Sequence, residues 1–271
     1  MPATTALPDA AYTALADGGF ASSELTRGPW NHGHQHAGPP VALVCRAVEQ
    51  VARGHGLTHI ARLTANLLRP VPLDTLSVEV AQDYVGRNAG HFSARLLAQG
   101  KEVGRFTLLA QRELDVVLPA GMAGHPLPQA PRSPEASPAA QFPFAGRVTG
   151  YADLVETRLA GGDFWHGPCA VWFRMRHALV AGEAPSPWQR VAVAADSGNG
   201  ISAVLDYERY TFVNSDLTIN LLRPPEGEWI CLDARTAWGP HGGGLAQSAL
   251  YDAQGLVGHA TQSLAVRQRE S

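Results

Sequence analysis

The sequence predicts an α+β protein built from two tandem units, each a central helix wrapped by an antiparallel β-sheet. Three observations carry this: an internal near-duplication, one helical stretch in each copy, and a meander of alternating segments after it. Residues 63–70 read Leu-Thr-Ala-Asn-Leu-Leu-Arg-Pro, and residues 217–224, 154 positions later, read Leu-Thr-Ile-Asn-Leu-Leu-Arg-Pro. At the same offset Val103-Gly104 falls on Val257-Gly258 and Thr107 on Thr261. A turn precedes each pair, at Ala98-Gln99-Gly100 and Asp252-Ala253-Gln254-Gly255. One matched octapeptide can arise by chance. A second match at an identical offset indicates two copies of one supersecondary unit.

In the first copy a helix is expected over about 38–53. Pro39 and Pro40 suit its first turn, and Val41, Val44, Val48 and Val51 follow helical spacing. Strands are expected at about 60–68, 75–84, 91–98 and 102–112, alternating and broken by Gly, Asn or Pro. In the second copy strands are expected at about 151–159 and 169–177, a short helix near 188–197, then strands at about 210–222, 229–238, 244–252 and 256–267. A sheet that wraps its helix buries the apolar faces of both. Between the copies Pro119, Pro126, Pro128, Pro131, Pro134, Pro138 and Pro143 remove N–H groups that a ladder needs. The expected division is an N-terminal unit over 1–118, a surface linker over 119–146 and a C-terminal unit over 147–271.

Composition narrows the function. Of 271 residues 45% are hydrophobic and 17% charged, enough apolar material for a sizeable core. With 21 Lys+Arg against 24 Asp+Glu, no nucleic-acid partner is expected. The three cysteines, Cys45, Cys169 and Cys231, fit neither a zinc spacing nor a closed disulfide set, which points to a reducing, cytoplasmic location. Residues 1–5 lack the basic and apolar regions of a signal peptide, and no apolar run is long enough for a membrane span.

The duplication is an internal control: matched positions serve the fold, and a polar group in only one copy is a candidate for chemistry. Gln262 replaces Leu108 on the apolar face of the last strand, Asn214 replaces Ile60 at the start of the repeat strand, and Asp216 replaces Arg62. Asp196 closes the apolar stretch Val191-Ala192-Val193-Ala194-Ala195, although helix C-termini favour cations. Asp196, Asn214 and Gln262 are therefore the candidate catalytic residues, at a point where a helix end, a strand start and the last strand converge.

These residues belong to a larger pattern. Arg27-Gly28-Pro29-Trp30, Gln35-His36-Ala37-Gly38-Pro39-Pro40, Trp172-Phe173-Arg174-Met175-Arg176, Ala195-Asp196-Ser197-Gly198-Asn199-Gly200, Asn214-Ser215-Asp216-Leu217-Thr218 and Gln262-Ser263-Leu264, with both Leu-Leu-Arg-Pro segments, resemble the TesB-like acyl-CoA thioesterases over nearly the whole chain. The resemblance implies a double hot-dog fold, an acyl-CoA substrate and no cofactor. It also implies a catalytic group of Asp196, Gln262 and a hydroxyl residue whose position is taken here by Asn214. Ala37 is a second departure, since relatives often have glycine there. The implied mechanism makes Asp196 the general base for a water held by Asn214 and Gln262, with N–H groups at Ala37 and Gly38 facing the oxyanion. His36 and Thr218 complete the expected substrate site. Two fused units mimic a dimer of single units, and further association to a homo-oligomer is compatible with the need to cover sheet edges.

Other signals carry less. His32, His34 and His36 form an HxHxH run in a loop without an adjacent acid, so no metal is expected. Gly239-Pro240-His241-Gly242-Gly243-Gly244 lies between two strands and reads as a hairpin loop. No GxSxG elbow and no cysteine–base pair is present. Two rivals to hydrolysis stay open: a non-catalytic acyl or acyl-CoA binding protein, favoured by Asn214, and a hot-dog hydratase or dehydratase. The latter wants an Asp/His pair, which only His36, from the other copy, could supply to Asp196.

Overall fold

The computed structural model describes residues 6–119 and 127–269. In chain order the elements are β1 (Ala10–Ala14), β2 (Phe20–Ser22), α1 (Gly38–Arg53), β3 (His59–Leu67), β4 (Thr75–Val85), β5 (Ala89–Ala98) and β6 (Lys101–Gln111). They continue with β7 (Ala139–Ala140), α2 (Tyr151–Leu154), β8 (Val155–Gly162), β9 (Cys169–Met175), β10 (Ala178–Val180), α3 (Pro187–Ala195) and α4 (Gly198–Ile201). The last five are β11 (Tyr210–Asn214), β12 (Asp216–Leu221), β13 (Ile230–Trp238), β14 (Gly243–Asp252) and β15 (Gly255–Gln268).

All the strands join one sheet, in the order β10-β1-β2-β4-β5-β6-β3-β12-β15-β14-β13-β9-β8-β7, with β11 on β15. Its centre is the antiparallel pair β3–β12, in which Thr64 lies opposite Thr218. These are matched positions of the duplicated octapeptide, 154 residues apart, and their hydroxyls are 3.3 Å from each other. Outward from this pair the two sides repeat one order: first strand of the meander, then fourth, third and second.

Two helices lie together on the sheet. α1 starts at Gly38 with prolines in its first turn and buries Val41, Leu43, Val44, Cys45 and Val48. α3 starts with Pro187 and is capped by Ser186, whose hydroxyl accepts from the Gln189 N–H at 3.1 Å. The helices cross where Gly38 meets Val193: a Cβ on Gly38 would stand 2.5 Å from the Val193 carbonyl oxygen. No helix among the described residues is long and apolar enough to cross a membrane.

The expected helix over 38–53 coincides with α1, and the meander strands of both copies fall within two residues of expectation. Four differences have local causes. The short strands β1, β2 and β10 leave no signal in the sequence, because pieces of three to five residues show no clear period. The stretch 151–159 starts as the helical turn α2 before β8.

The expected strand 210–222 is broken at Ser215. β15 serves both pieces, pairing Asn214 with Leu264 and Thr218 with Thr261. The Ser215 N–H donates to Ser263 O at 2.9 Å, while the Asp216 carboxylate accepts from the Ser263 N–H at 2.6 Å. Such an irregularity re-aims the side chains on either side of it. Finally, the segment 119–146, of which 120–126 lies outside the described residues, is more than a surface crossing. Ala139–Ala140 adds to the edge of β8, Trp172 Nε1 donates to Arg132 O at 2.8 Å, and Phe142 is only 5% exposed. The prolines do prevent a long ladder, but β8 would otherwise be an open edge, and this segment covers it.

Candidate active site

Asp196 follows the last turn of α3 and is 4% exposed. A carboxylate there opposes its own helix dipole, but the N-terminus of α1 compensates: the Gly38 N–H donates to Asp196 Oδ2 at 2.9 Å. His36 Nδ1 lies 2.8 Å from the same oxygen. The Gly38 nitrogen is also 3.3 Å from Nδ1, yet the carboxylate is its acceptor, because Nδ1 must carry the proton it gives to Asp196. Asn214 Nδ2 donates to Asp196 Oδ1 at 2.8 Å, and Gln262 Nε2 reaches that oxygen at 3.4 Å and the Asp196 backbone O at 3.1 Å. Burial alone would push this carboxyl up. The charge His36 can carry and the hydrogen bonds from His36, Asn214 and Gly38 more than reverse that, holding it below the usual carboxylate range.

The structure thus brings Asp196, Asn214, Gln262, His36 and Gly38 together, in a different arrangement from the one expected. Four donors surround the carboxylate, about the number of its lone-pair sites. Gln262 sits behind the aspartate, 2% exposed, with Oε1 accepting the Asn199 N–H at 3.0 Å. That bond fixes which end of the amide is oxygen and turns its NH₂ toward Asp196. Gly38, expected to face an oxyanion, spends its N–H on the carboxylate. Thr218 is not brought to the cluster at all: it bonds Thr64 across the central strand pair and does not line the cavity.

The cluster opens into a cavity of about 280 Å³, lined by His36, Ala37, Asp196 and Asn214 together with Trp30, Phe142, Phe144 and Trp165. The His36 ring lies flat on Tyr151, centroids 3.7 Å apart and planes 4° apart. The Tyr151 hydroxyl donates to Val193 O at 2.8 Å and sits 2.9 Å from Ser197 Oγ. Burial pushes the Tyr151 phenol up, so it remains a neutral donor. With Nδ1 engaged by Asp196 and the ring held by Tyr151, His36 Nε2 has no hydrogen-bond partner among the described residues. Tyr151, Phe142, Phe144, Trp165 and Asn199 were not singled out from the sequence. The Phe142-Pro143-Phe144 triplet, apolar within a proline-rich stretch, was the one available signal.

Asn214 stands where the family resemblance implies a hydroxyl. Its NH₂ donates to Asp196 Oδ1 and to Asp216 O, at 3.3 Å, which leaves its carbonyl oxygen as an acceptor beside the cavity. A threonine hydroxyl can likewise donate to Asp196 and accept, giving up only the longer bond to Asp216 O. Asn214→Thr is therefore expected to keep kcat within about threefold. Asn214→Leu loses a charge-assisted bond of ~1.5–3 kcal/mol and should lose roughly ten- to a hundredfold. Steady-state kinetics of the two variants checks this, and an inactive threonine variant would contradict it.

Comparison with known proteins agrees with the architecture. No curated protein matches the chain in sequence. Among solved structures, a conserved protein with a hot dog fold from Alicyclobacillus acidocaldarius superposes with a TM-score of 0.71 at 15% identity over 93% of each chain. The tesB protein of Mycobacterium avium subs paratuberculosis gives 0.63 at 16% over 92% of each. The acyl-CoA thioesterase II TesB2 of Mycobacterium marinum gives 0.61 at 14%, over 86% of this chain and 91% of that one. At such identities the likeness shows the hot-dog fold. Sequence-family models go further: residues 26–111 match the acyl-CoA thioesterase N-terminal domain, and residues 128–266 match the acyl-CoA thioesterase C-terminal domain. The two matches take in the helix start that holds Gly38 and the whole set Asp196, Asn214 and Gln262, and on them the chain belongs to the acyl-CoA thioesterase family.

Proposed function

We propose that the family's reaction, hydrolysis of an acyl-CoA thioester, takes place in this cavity on the His36–Asp196 pair. The observation that carries the reading is the 2.8 Å contact between His36 Nδ1 and an Asp196 carboxylate already holding other donors. A carboxyl held below its usual range is a poor proton acceptor, whereas an imidazole oriented through Nδ1 has a basic Nε2 to offer. Water, held by the Asn214 carbonyl oxygen, gives its proton to His36 Nε2 as its oxygen attacks the thioester carbon. The carbonyl oxygen becomes an oxyanion at the N-terminus of α1, where Ala37 lines the cavity and the helix dipole favours negative charge. The C–S bond then breaks, and His36 returns the proton to the leaving thiolate. The products are the free acid and CoA.

The duplication supports a double hot-dog chain, with units over 1–118 and 147–271 joined by 119–146. The pairing of Thr64 with Thr218, matched positions of the repeat, supports a pseudo-two-fold relation between the units. His36 and Gly38 come from one unit and Asp196, Asn214 and Gln262 from the other, so one chain completes one site.

The copies also differ in what they do with the arginine of Leu-Leu-Arg-Pro. Arg223 is locked by Asp252 in a bidentate pair, 2.6 Å on both arms. Arg69, its match, has Ala98 in place of that aspartate and lines the cavity, and among the described residues its guanidinium donates only to the Glu102 backbone O at 3.2 Å. It is a guanidinium available to a phosphate of CoA. Thiol release from acyl-CoAs of increasing chain length tests the function. Arg69→Ala should raise KM for acyl-CoA roughly tenfold, the loss of one charge-assisted contact, and leave KM for an S-acyl pantetheine unchanged. An equal effect on both substrates would remove Arg69 from CoA binding. A hydratase would also use a His–Asp pair; a hydrated acyl-CoA with no thiol release would identify that reaction instead.

A further inference from the structure

Trp165 is held at two costs that the hydrolytic mechanism does not use. Its backbone has φ of 70°, a left-handed conformation that a bulky side chain rarely adopts. Its indole N–H is buried and has no hydrogen-bond partner among the described residues. Such features persist where the surrounding structure fixes them, and they gather at functional sites. Here the fixing is visible. The Trp165 N–H donates to Ile201 O and the Gly167 N–H to Ala203 O, both at 3.1 Å, which hangs the turn on the end of α4. Gly200 leaves room for the ring: a Cβ there would stand 3.1 Å from it.

The position explains why a large ring is kept there. Trp165 lines the reaction cavity and also a second, more open groove of about 400 Å³, whose other walls include Pro143, Phe164, Val204 and Tyr207. It is a residue common to both spaces. Phe142, Phe144, Phe164, Tyr207 and Phe212 contact its ring at centroid distances of 6.1–6.5 Å, so it is packed as part of a wall. The aromatic part of the cavity suits an acyl chain, while the exposed guanidinium of Arg69 suits the polar end of CoA.

We infer that Trp165 sets the upper limit of acyl-chain length by walling the reaction cavity from the adjoining apolar groove. This rests on the hydrolase reading above. In the wild-type protein the chain ends at the indole; without the indole, the groove extends the acyl site.

The test is thiol release from straight-chain acyl-CoAs, acetyl to palmitoyl, by wild type and Trp165→Ala. For chains longer than the wild-type optimum, kcat/KM should rise in the variant by about fourfold for each added methylene that reaches the groove, the fold-change equivalent of ~0.8 kcal/mol per buried CH₂. Acetyl-CoA turnover by the same variant is the reference, so it is the ratio of long-chain to acetyl-CoA kcat/KM that should rise. The same ordering of chain lengths in both proteins, or an equal loss at every length, would overturn the inference. Should Trp165→Ala fail to fold, Trp165→Leu is read by the same criteria. If the wild-type protein releases no thiol from any acyl-CoA, the hydrolase reading falls by itself. The wall is then judged on binding: identical chain-length dependence of acyl-CoA affinity in wild type and variant would overturn it.

Discussion

Asp196→Asn should lower kcat roughly 10³–10⁴-fold, the range for loss of a group that orients a general base. The amide that replaces the carboxylate must turn an NH₂ toward donors already there. On one side are the Gly38 N–H and His36 Nδ1, on the other the NH₂ of Asn214. His36 then loses both its tautomer and its counter-charge. His36→Gln should cost a similar factor, and the double variant little more than either single one, because residues that act as a unit are not additive. A His36→Gln enzyme that keeps a third or more of wild-type kcat would show that Asp196 takes the proton from water directly, as the family resemblance implied. Stability gives an independent readout. Since the folded protein holds the Asp196 carboxyl below its usual range, the stabilisation is full at neutral pH and is lost as pH falls through the depressed value. The stability gap between wild type and Asp196→Asn should therefore be largest near neutrality and narrow in acid, measured by thermal unfolding.

What could be read in the sequence, and what could not, follows from distance along the chain. Gln262 against Leu108 and Asn214 against Ile60 are contrasts at matched positions of a repeat, so they stand out without knowledge of packing. Thr218 is the converse case: it is the same residue in both copies, and it lies on the central strand pair, away from the cavity lining. His36 is legible as a loop histidine of the substrate site and as the one that the other copy could bring to Asp196, but not as a partner 2.8 Å from its carboxylate. Its meeting with Asp196 depends on how two helices from different copies cross. Phe142 and Trp165 lie in irregular segments where neither period 2 nor period 3.6 applies, so burial left no pattern to read. The break at Ser215 was equally hidden, since a bulge changes pairing without interrupting alternation for more than a residue.

That crossing is also the point where a single methyl group should do the most damage to the fold and the site together. A Cβ on Gly38 would lie 2.5 Å from Val193 O and 3.2 Å from the Val193 carbonyl carbon and Cα. All of these are backbone atoms of α3, so no side chain can swing away, and the helices must part. The cost of such overpacking is ~1–3 kcal/mol. Separation also lengthens the Gly38–Asp196 bond, which as a charge-assisted contact is worth a further ~1.5–3 kcal/mol. Val193 O is the same carbonyl that accepts the Tyr151 hydroxyl, and Tyr151 is the platform on which His36 stacks. One displacement therefore reaches the aspartate, the histidine and the ring beneath it. Gly38→Ala is expected to lower Tm by roughly 5–24 °C, taking ~2–4 °C per kcal/mol for a chain of this size, and to lower kcat by at least about tenfold in the fraction that folds. Ala37→Gly, one residue earlier and outside the helix crossing, should shift Tm by no more than about 2 °C. If Gly38→Ala unfolds at the wild-type temperature with wild-type kcat, the two helices are not pinned at this point, and the close approach of α1 to Asp196 is not what builds the site.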